Sequence, residues 1–172
     1  MTVKEIMGNA QYISGQFISL PVALRLINNA VDILATRYDT ATPTDSILRS
    51  TFNAKANEPC PLPEEYIGVT KVTLNGHPYT NYTISEDNII FKDAGEFIVS
   101  LQLMPGPVEA ESDEPNIPIP YHSIIELYIA SRVVRPLDQN LEQRFYMMAD
   151  QINTRLQCRK RKSLHIPARV WR

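Results

Sequence analysis

Hydrophobic residues follow a helical period at the two ends of this chain but not in its middle. Apolar residues recur every three or four positions from Val3 to Tyr38 and again from Tyr121 to Leu156. Between them, from Thr40 to Ile119, prolines and turn residues divide the chain into pieces too short for helices. The sequence therefore predicts an α+β fold: a bundle of two N-terminal and two C-terminal helices, with an inserted antiparallel β domain.

The N-terminal helices are predicted to form a hairpin. Thr2 and Glu5 have the spacing of a capping box, and Gly15 is a typical helix end. Pro21 suits the first turn of a second helix. The apolar stripes predicted to be buried comprise Val3, Ile6, Met7, Ala10, Ile13, Leu20, Leu24, Ile27, Val31, Leu34 and Tyr38.

The C-terminal helices follow an acidic, proline-rich loop, Pro105 to Pro120, which we expect to be exposed and stiff. Pro136 is expected to end the third helix, and Asp138 can cap the fourth. Their predicted buried residues are Tyr121, Ile124, Ile125, Tyr128, Ile129, Val133, Leu141, Phe145, Met148, Ile152 and Leu156.

The central segment predicts short strands. Asn75-Gly76 tolerates positive φ at both positions, which favours a tight hairpin. Glu58 to Pro63 should not join a ladder normally, because three of its residues lack an amide hydrogen. The predicted strands are Ser46 to Asn53, Tyr66 to Leu74 paired with Tyr79 to Ile84, and Ile89 to Phe91 paired with Phe97 to Leu103 around Asp93-Ala94-Gly95.

Charge separates the end of the chain from the rest. Residues 155–172 hold seven of the 17 lysines and arginines, whereas all 19 aspartates and glutamates precede them. The predicted division is therefore 1–39, an N-terminal helical hairpin; 40–118, the β-rich insertion; 119–158, a C-terminal hairpin packed on the first; and 159–172, a basic arm.

Composition excludes several classes of protein. A net charge of −2 gives no global basic field, so any binding to nucleic acid must be local. Two distant cysteines do not make a secreted disulfide scaffold, and we expect free thiols. There is no signal-peptide pattern and no apolar run of the ~18 residues that span a bilayer. We expect a soluble chain, made in the cytoplasm, with no membrane partner.

The residues that could carry chemistry are scattered. No glycine-rich loop suggests a nucleotide site, and His77, His122 and His165 are remote from one another. His122 with Glu126 could supply two metal ligands, but a histidine at a helix start beside a solvated glutamate is the favoured interpretation. We expect no catalytic residue, metal or cofactor, and not an enzyme. The remaining candidates are interpreted as bystander thiols or turn residues: Cys60, Cys158, Glu64-Glu65 and Glu86-Asp87.

Three uses of the basic arm are open: a disordered solubilising end, a docking arm for an acidic partner, and a nucleic-acid arm that binds phosphate without sequence preference. Against the third, the arm lacks the interleaved aromatics of a base-stacking surface. A docking arm would combine steering cations with apolar anchors. Its residues are Arg159, Lys160, Arg161, Lys162, Ile166, Arg169, Val170, Trp171 and Arg172.

Four stretches carry a resemblance to a known family: TVKEIMGNAQY, VALRLINNAVDILATRYD, LPEEYIGVTKVTLNG and IPIPYHSIIELYIASRVVRP. In order and character, Thr2 to Arg159 resembles the head-to-tail adaptor, or connector, proteins of tailed bacteriophages. The resemblance implies a non-enzymatic structural protein of the virion neck that forms a ring, typically dodecameric, under the portal. Genomic DNA would pass through the lumen without sequence-specific binding. A C-terminal extension that grips the portal is frequent in the family and would give the arm a receptor.

The β insertion is a departure from the smallest adaptors, which are nearly all helical. It makes the chain more similar to larger forms, including podoviral tubular tail adaptors, and leaves open whether this part contacts a tail tube, a nozzle or a head fibre. An alternative function from another class is a nucleic-acid-binding or packaging accessory protein acting through the basic tail. A small hydrolase would need a nucleophile and base that the sequence does not supply.

Overall fold

The computed structural model describes residues 1–38, 41–43, 46–63, 66–134 and 138–163. These residues form helices at both ends of the chain and antiparallel sheets between them, which confirms the predicted α+β class. They divide into two compact units. The helical unit comprises Met1–Ala41 and the described residues from Pro105 onward, and the β unit comprises the described residues of Thr42–Met104.

The first helix, α1 (Val3–Ser14), begins at the predicted capping box. The Glu5 amide donates to Thr2 Oγ1 at 3.3 Å, and the Thr2 amide donates to Glu5 Oε2 at 2.9 Å. Gly15 ends the helix with a φ of 65°, which glycine adopts without the steric penalty of a Cβ. Local sequence marks both ends of α1, but the start is also held from a distance, because the Val3 amide donates to the Asp113 carbonyl at 2.8 Å and the Lys4 amide to the Glu111 carbonyl at 3.0 Å.

The other helices are α2 (Leu20–Arg37), α3 (Ile119–Val133) and α4 (Gln139–Ser163). α3 packs against each of the other three, most extensively against α1 and α4, and most of its side chains are buried. α1 and α4 hardly approach each other, so they flank α3. The shared core includes the fully buried residues Ile6, Ile27, Leu34, Ile124, Ile125 and Phe145, all of which were predicted to be buried.

Residues 105–118, which the sequence pattern assigned to the insertion, belong to the helical unit. Val108 and Ile117 are buried there. The Asn28 side chain of α2 donates from Nδ2 to the Val108 carbonyl at 3.1 Å, and its Oδ1 accepts from the Val108 amide at 2.9 Å. The expected loop is exposed at most of its positions, including Glu109, Glu111 and Glu114, but Val108 and Ile117 anchor it in the core of the helical unit.

The β unit contains two antiparallel sheets around one core. Its strands are β1 (Ile47–Ala54), β2 (Pro59–Pro61), β3 (Tyr66–Leu74), β4 (His77–Pro78), β5 (Tyr82–Ser85), β6 (Asn88–Phe91) and β7 (Gly95–Leu103). One sheet has the order β1-β7-β3-β4 and the other β2-β6-β5. The rings of Phe91 and Phe97 stack with centroids 3.8 Å apart and so join the sheets. Val99 and Leu101 are buried beside them, as their alternation predicted.

The Asn75-Gly76 turn is confirmed, but the strand pairs predicted around it are partly wrong. Asn75 and Gly76 have φ values of 51° and 82°. After the turn only β4 pairs with β3, and the predicted strand Tyr79 to Ile84 is replaced by β5 in the other sheet. β6 and β7, predicted as partners, also lie in different sheets. A period of two identifies strands but does not choose their partners.

The proline-rich segment Pro59–Pro61 joins a ladder after all. Cys60 lies opposite Ile89 of β6. β2 is the edge of its sheet, where the open side tolerates residues without an amide hydrogen. The Leu62 amide then donates to the Asp87 carbonyl at 2.7 Å. The segment therefore pairs with β6 only as a short edge strand.

Candidate functional site

The long helix α4 is fixed at its start by polar contacts. Asp138 Oδ1 accepts from the Asn140 amide at 2.9 Å and satisfies a donor of the first turn. Arg132 of α3 donates to the Glu142 carboxylate at 2.6 Å, and its guanidinium lies 5.1 Å from the centre of the Tyr128 ring. These contacts hold the start of α4 against the end of α3.

A second polar cluster holds the middle of α4 to the end of α2. The Tyr38 hydroxyl donates to Asp150 Oδ1, and Arg37 lies 3.8 Å from the same oxygen. Burial, followed by the bond to Asp150, raises the pKa of Tyr38 above its usual range. The phenol therefore stays protonated and continues to donate. The Arg37 guanidinium also lies 4.9 Å from the centre of the Tyr146 ring, so this cluster positions α4.

The backbone of α4 continues beyond the last described side chain that packs on the core. Phe145 and Ala149 are buried, and Leu156 is the last of the described side chains of α4 that packs on the core. The following side chains Gln157, Cys158 and Arg159 are exposed, yet the helix runs on to Ser163. At about 1.5 Å per residue, the part after Leu156 adds roughly 10 Å of helix. Three successive exposed residues, the last of them Arg159, therefore follow the last described core contact of α4.

The predicted docking arm is only partly within the described residues. Arg159 is exposed, and Lys160, Arg161 and Lys162 belong to the backbone of α4. The predicted start of a separate arm at residue 159 thus falls inside a helix, because the lysines and arginines that mark the tail are also good helix formers. Outside the described residues lie Ile166, Arg169, Val170, Trp171 and Arg172.

His122 lies inside the helical unit and not at its surface. It is 2% exposed, its Nε2 lies 2.9 Å from the Ile117 carbonyl oxygen, and its Nδ1 lies 3.1 Å from the Met1 amino group. Oε2 of Glu126 is buried and has no hydrogen-bond partner among the described residues. His122 lies at the start of α3 as expected, but one carboxylate oxygen of the glutamate that was expected to be solvated is buried. Both ring nitrogens of His122 already have close polar neighbours.

The other candidates have structural surroundings. Cys60 is buried in β2, and burial, then the charge of Glu58, raises the pKa of its thiol. Cys158 is exposed on α4. Glu86 has a φ of 50° in the turn between β5 and β6, and its carbonyl accepts from the Tyr66 hydroxyl at 3.1 Å. The pair Glu64-Glu65 lies outside the described residues.

A second surface was missed by sequence reasoning. Tyr12 and Phe17, at the end of α1 and in the following loop, are 91% and 88% exposed. Ile13, predicted to be buried, is 37% exposed. The signal was present, because no charged residue occurs between Glu5 and Arg25. Apolar periodicity was assigned wholly to the core, although such uncharged stretches also suit interfaces.

Within the described ranges, no helix is long and apolar enough to cross a membrane. No group of three or more His, Cys, Asp or Glu residues there could hold a metal ion. An open hollow of about 320 Å³ lies along α4 and is lined by Asp150, Gln151, Thr154 and Arg155. No protein-family model and no curated protein matches the sequence.

Proposed function

We propose that this chain is a structural adaptor that forms a ring between the portal and the tail of a tailed bacteriophage. The observation that carries the proposal is the basic end of α4. The described side chains after Leu156, from Gln157 to Arg159, are exposed. Short helical segments without tertiary packing are marginal in water, so this stretch is suited to docking on a partner. The exposed Arg159 and the cations that follow would steer it to an acidic partner.

The two compact units support a division of labour. The helical unit would form the ring, and the β unit would contact the tail or nozzle protein. The end of α4, with residues 164–172, would dock into the portal. Genomic DNA would pass through the lumen, where the acidic residues that precede residue 155 would avoid trapping it. In this proposal the protein acts by interface geometry and not by chemistry.

The test is electron microscopy of the portal of the same virus mixed with this protein. We expect an added ring of density under the portal with the full chain, and none with a chain ending at Cys158. A charge-reversed variant, Arg159→Glu with Lys160→Glu, should also lose the ring. Lys4→Glu with Arg25→Glu is the matched control, because both side chains are exposed elsewhere on the helical unit. The absence of a ring with the full chain under any condition would reject the proposal.

The same variants separate the adaptor from a nucleic-acid accessory protein. Phosphate contacts make DNA affinity fall steeply with salt. If the full chain binds duplex DNA in that manner, adds no ring to the portal, and loses DNA binding with residues 159–172, the accessory function is favoured. An added ring with no salt-sensitive DNA binding favours the adaptor.

A further inference from the structure

The helical unit presents two exposed apolar faces on different helices. The α1 face consists of Tyr12, Ile13 and Phe17. The α4 face consists of Met147, 57% exposed, and Met148, 36% exposed, with the exposed Arg144 one turn before them. Isolated apolar side chains are normal on surfaces, but two nearly bare aromatic rings five residues apart are not.

The α1 face is held rigidly by hydrogen bonds of its own loop. The Gly15 amide donates to the Gln11 carbonyl at 2.8 Å, and Gln11 Nε2 donates to the Ile18 carbonyl at 3.0 Å. The Gln16 amide donates to Ser14 Oγ at 3.2 Å. Phe17 therefore projects from a fixed loop, and little conformational entropy would be lost when it is buried.

The two faces are chemically complementary. Methionine sulfur contacts aromatic rings favourably, and an arginine guanidinium stacks on them. The carboxyl end of α1 carries the negative pole of the helix and has no basic residue in its last turn. A cation from a neighbouring molecule, such as Arg144, would interact favourably with this negative pole. The α1 face itself carries no charge, so it would not repel that cation.

We propose that the α1 face of one copy binds the α4 face of a second copy of this chain. Because α1 and α4 both pack on α3 and hardly on each other, the two faces are separate surfaces of the helical unit. Such a contact is heterologous and leaves one free face at each end of a pair, so it can continue and close into a ring. The inference rests on the proposed function, for which it names the lateral interface.

The size of the faces is consistent with the centre of such an interface. A standard interface buries about 800 Å² on each partner, and a tyrosine or phenylalanine contributes about 150–250 Å². Tyr12 and Phe17 would supply the aromatic anchors, and the exposed polar side chains of Asn9, Gln16 and Gln143 would form part of the rim.

The test compares two double variants of the full chain by sedimentation velocity across a concentration series. Tyr12→Ser with Phe17→Ser removes the α1 face, and Met147→Gln with Met148→Gln removes the α4 face. Each should weaken self-association more than about tenfold. Mixed in equal amounts, the two variants should form a one-to-one dimer and nothing larger, because each supplies one intact face.

Ile84→Ser with Ile98→Ser is the control, since both side chains are exposed apolar residues of the β unit. It should associate like the wild type, and circular dichroism should show all variants folded. A wild type that stays monomeric up to ~1 mM, variants that associate normally, or a mixture without dimer would overturn the interface. Variants that lose pairing but still add a ring to the portal would overturn this contact as the lateral interface and leave the adaptor function standing. Intact pairing without any added ring would reject the adaptor function alone.

Discussion

At the residue scale, Tyr38 packs its ring in the core and places its hydroxyl at the polar surface. Its ring stacks on Tyr121 with centroids 6.3 Å apart, while its hydroxyl donates to Asp150. The apolar stripe of α2 predicted the buried ring. The hydroxyl partner was not predictable, because Asp150 is 112 positions away and its approach depends on how α4 packs.

Replacement of this hydroxyl should weaken the fold. We expect Tyr38→Phe to lower the free energy of unfolding by about 1–2 kcal/mol, because it removes a bond to a carboxylate and leaves the ring in place. Urea unfolding followed by circular dichroism measures the change. Tyr12→Phe is the matched control, since that side chain is exposed, and it should change the free energy by less than about 0.5 kcal/mol.

The Tyr38 hydrogen bond should also make the free energy of unfolding depend on pH, and the raised pKa fixes the direction of that dependence. The folded-state pKa of Tyr38 is raised above its ordinary value of 10.0. Its contribution to stability is therefore complete below about pH 10 and is lost as the pH rises further, because the unfolded phenol ionises first. The stability difference between wild type and Tyr38→Phe should stay constant up to about pH 9 and be smaller at about pH 11. A difference that grows with pH would contradict the assigned hydrogen bond.

At the scale of elements, helix ends were more predictable than strand partners. The capping box at Thr2 and the glycine at position 15 act within a few residues, so sequence spacing revealed them. Strand pairing depends on contacts across the β unit: β7 lies between β1 and β3, although β6 precedes it in sequence. The edge position that lets β2 contain two prolines is likewise a property of the folded sheet.

Two glycines of α1 should respond oppositely to alanine. Gly8 lies in the exposed helix interior, and a Cβ there would meet no atom within 4 Å. Gly8→Ala should therefore stabilise the fold by about 0.5–1 kcal/mol. Gly15 has a φ of 65°, so Gly15→Ala should destabilise it by about 1 kcal/mol, although its site is equally open. Thermal unfolding of both variants measures the difference, and equal shifts would contradict the assigned helix end.

For the whole molecule, the switch in periodicity predicted an α+β chain. The charge pattern predicted the basic surface, but the apolar pattern did not predict the exposed aromatic surface. The basic tail was visible as a run of lysines and arginines, whereas its helical continuation to Ser163 was not. The exposure of Tyr12 and Phe17 was not predicted, because a helical period alone does not distinguish a side chain that faces the core from one that faces solvent. Only the packing of α1 against α3 decides that.

The β unit should be removable without unfolding the helices. The two units have separate cores, and Ile47 near the start of the β unit lies opposite Gln102 near its end. Paired residues of antiparallel strands lie about 5 Å apart. Ala41 precedes Ile47 by six positions and Pro105 follows Gln102 by three. A Gly-Ser linker of roughly twelve residues therefore reaches from Ala41 to Pro105 even if both segments are extended. We expect this variant to be helical by circular dichroism and to unfold cooperatively.

In the proposed division of labour, the shortened chain keeps its ring-forming faces and its portal-docking end. Electron microscopy should therefore show it adding a smaller ring to the portal, while the tail or nozzle protein no longer joins. A control that replaces only Asn75-Gly76 with Gly-Gly should behave like the full chain, because both positions accept positive φ. If the shortened chain folds yet adds no ring, ring formation needs the β unit. If the tail protein still joins, its contact lies on the helical unit.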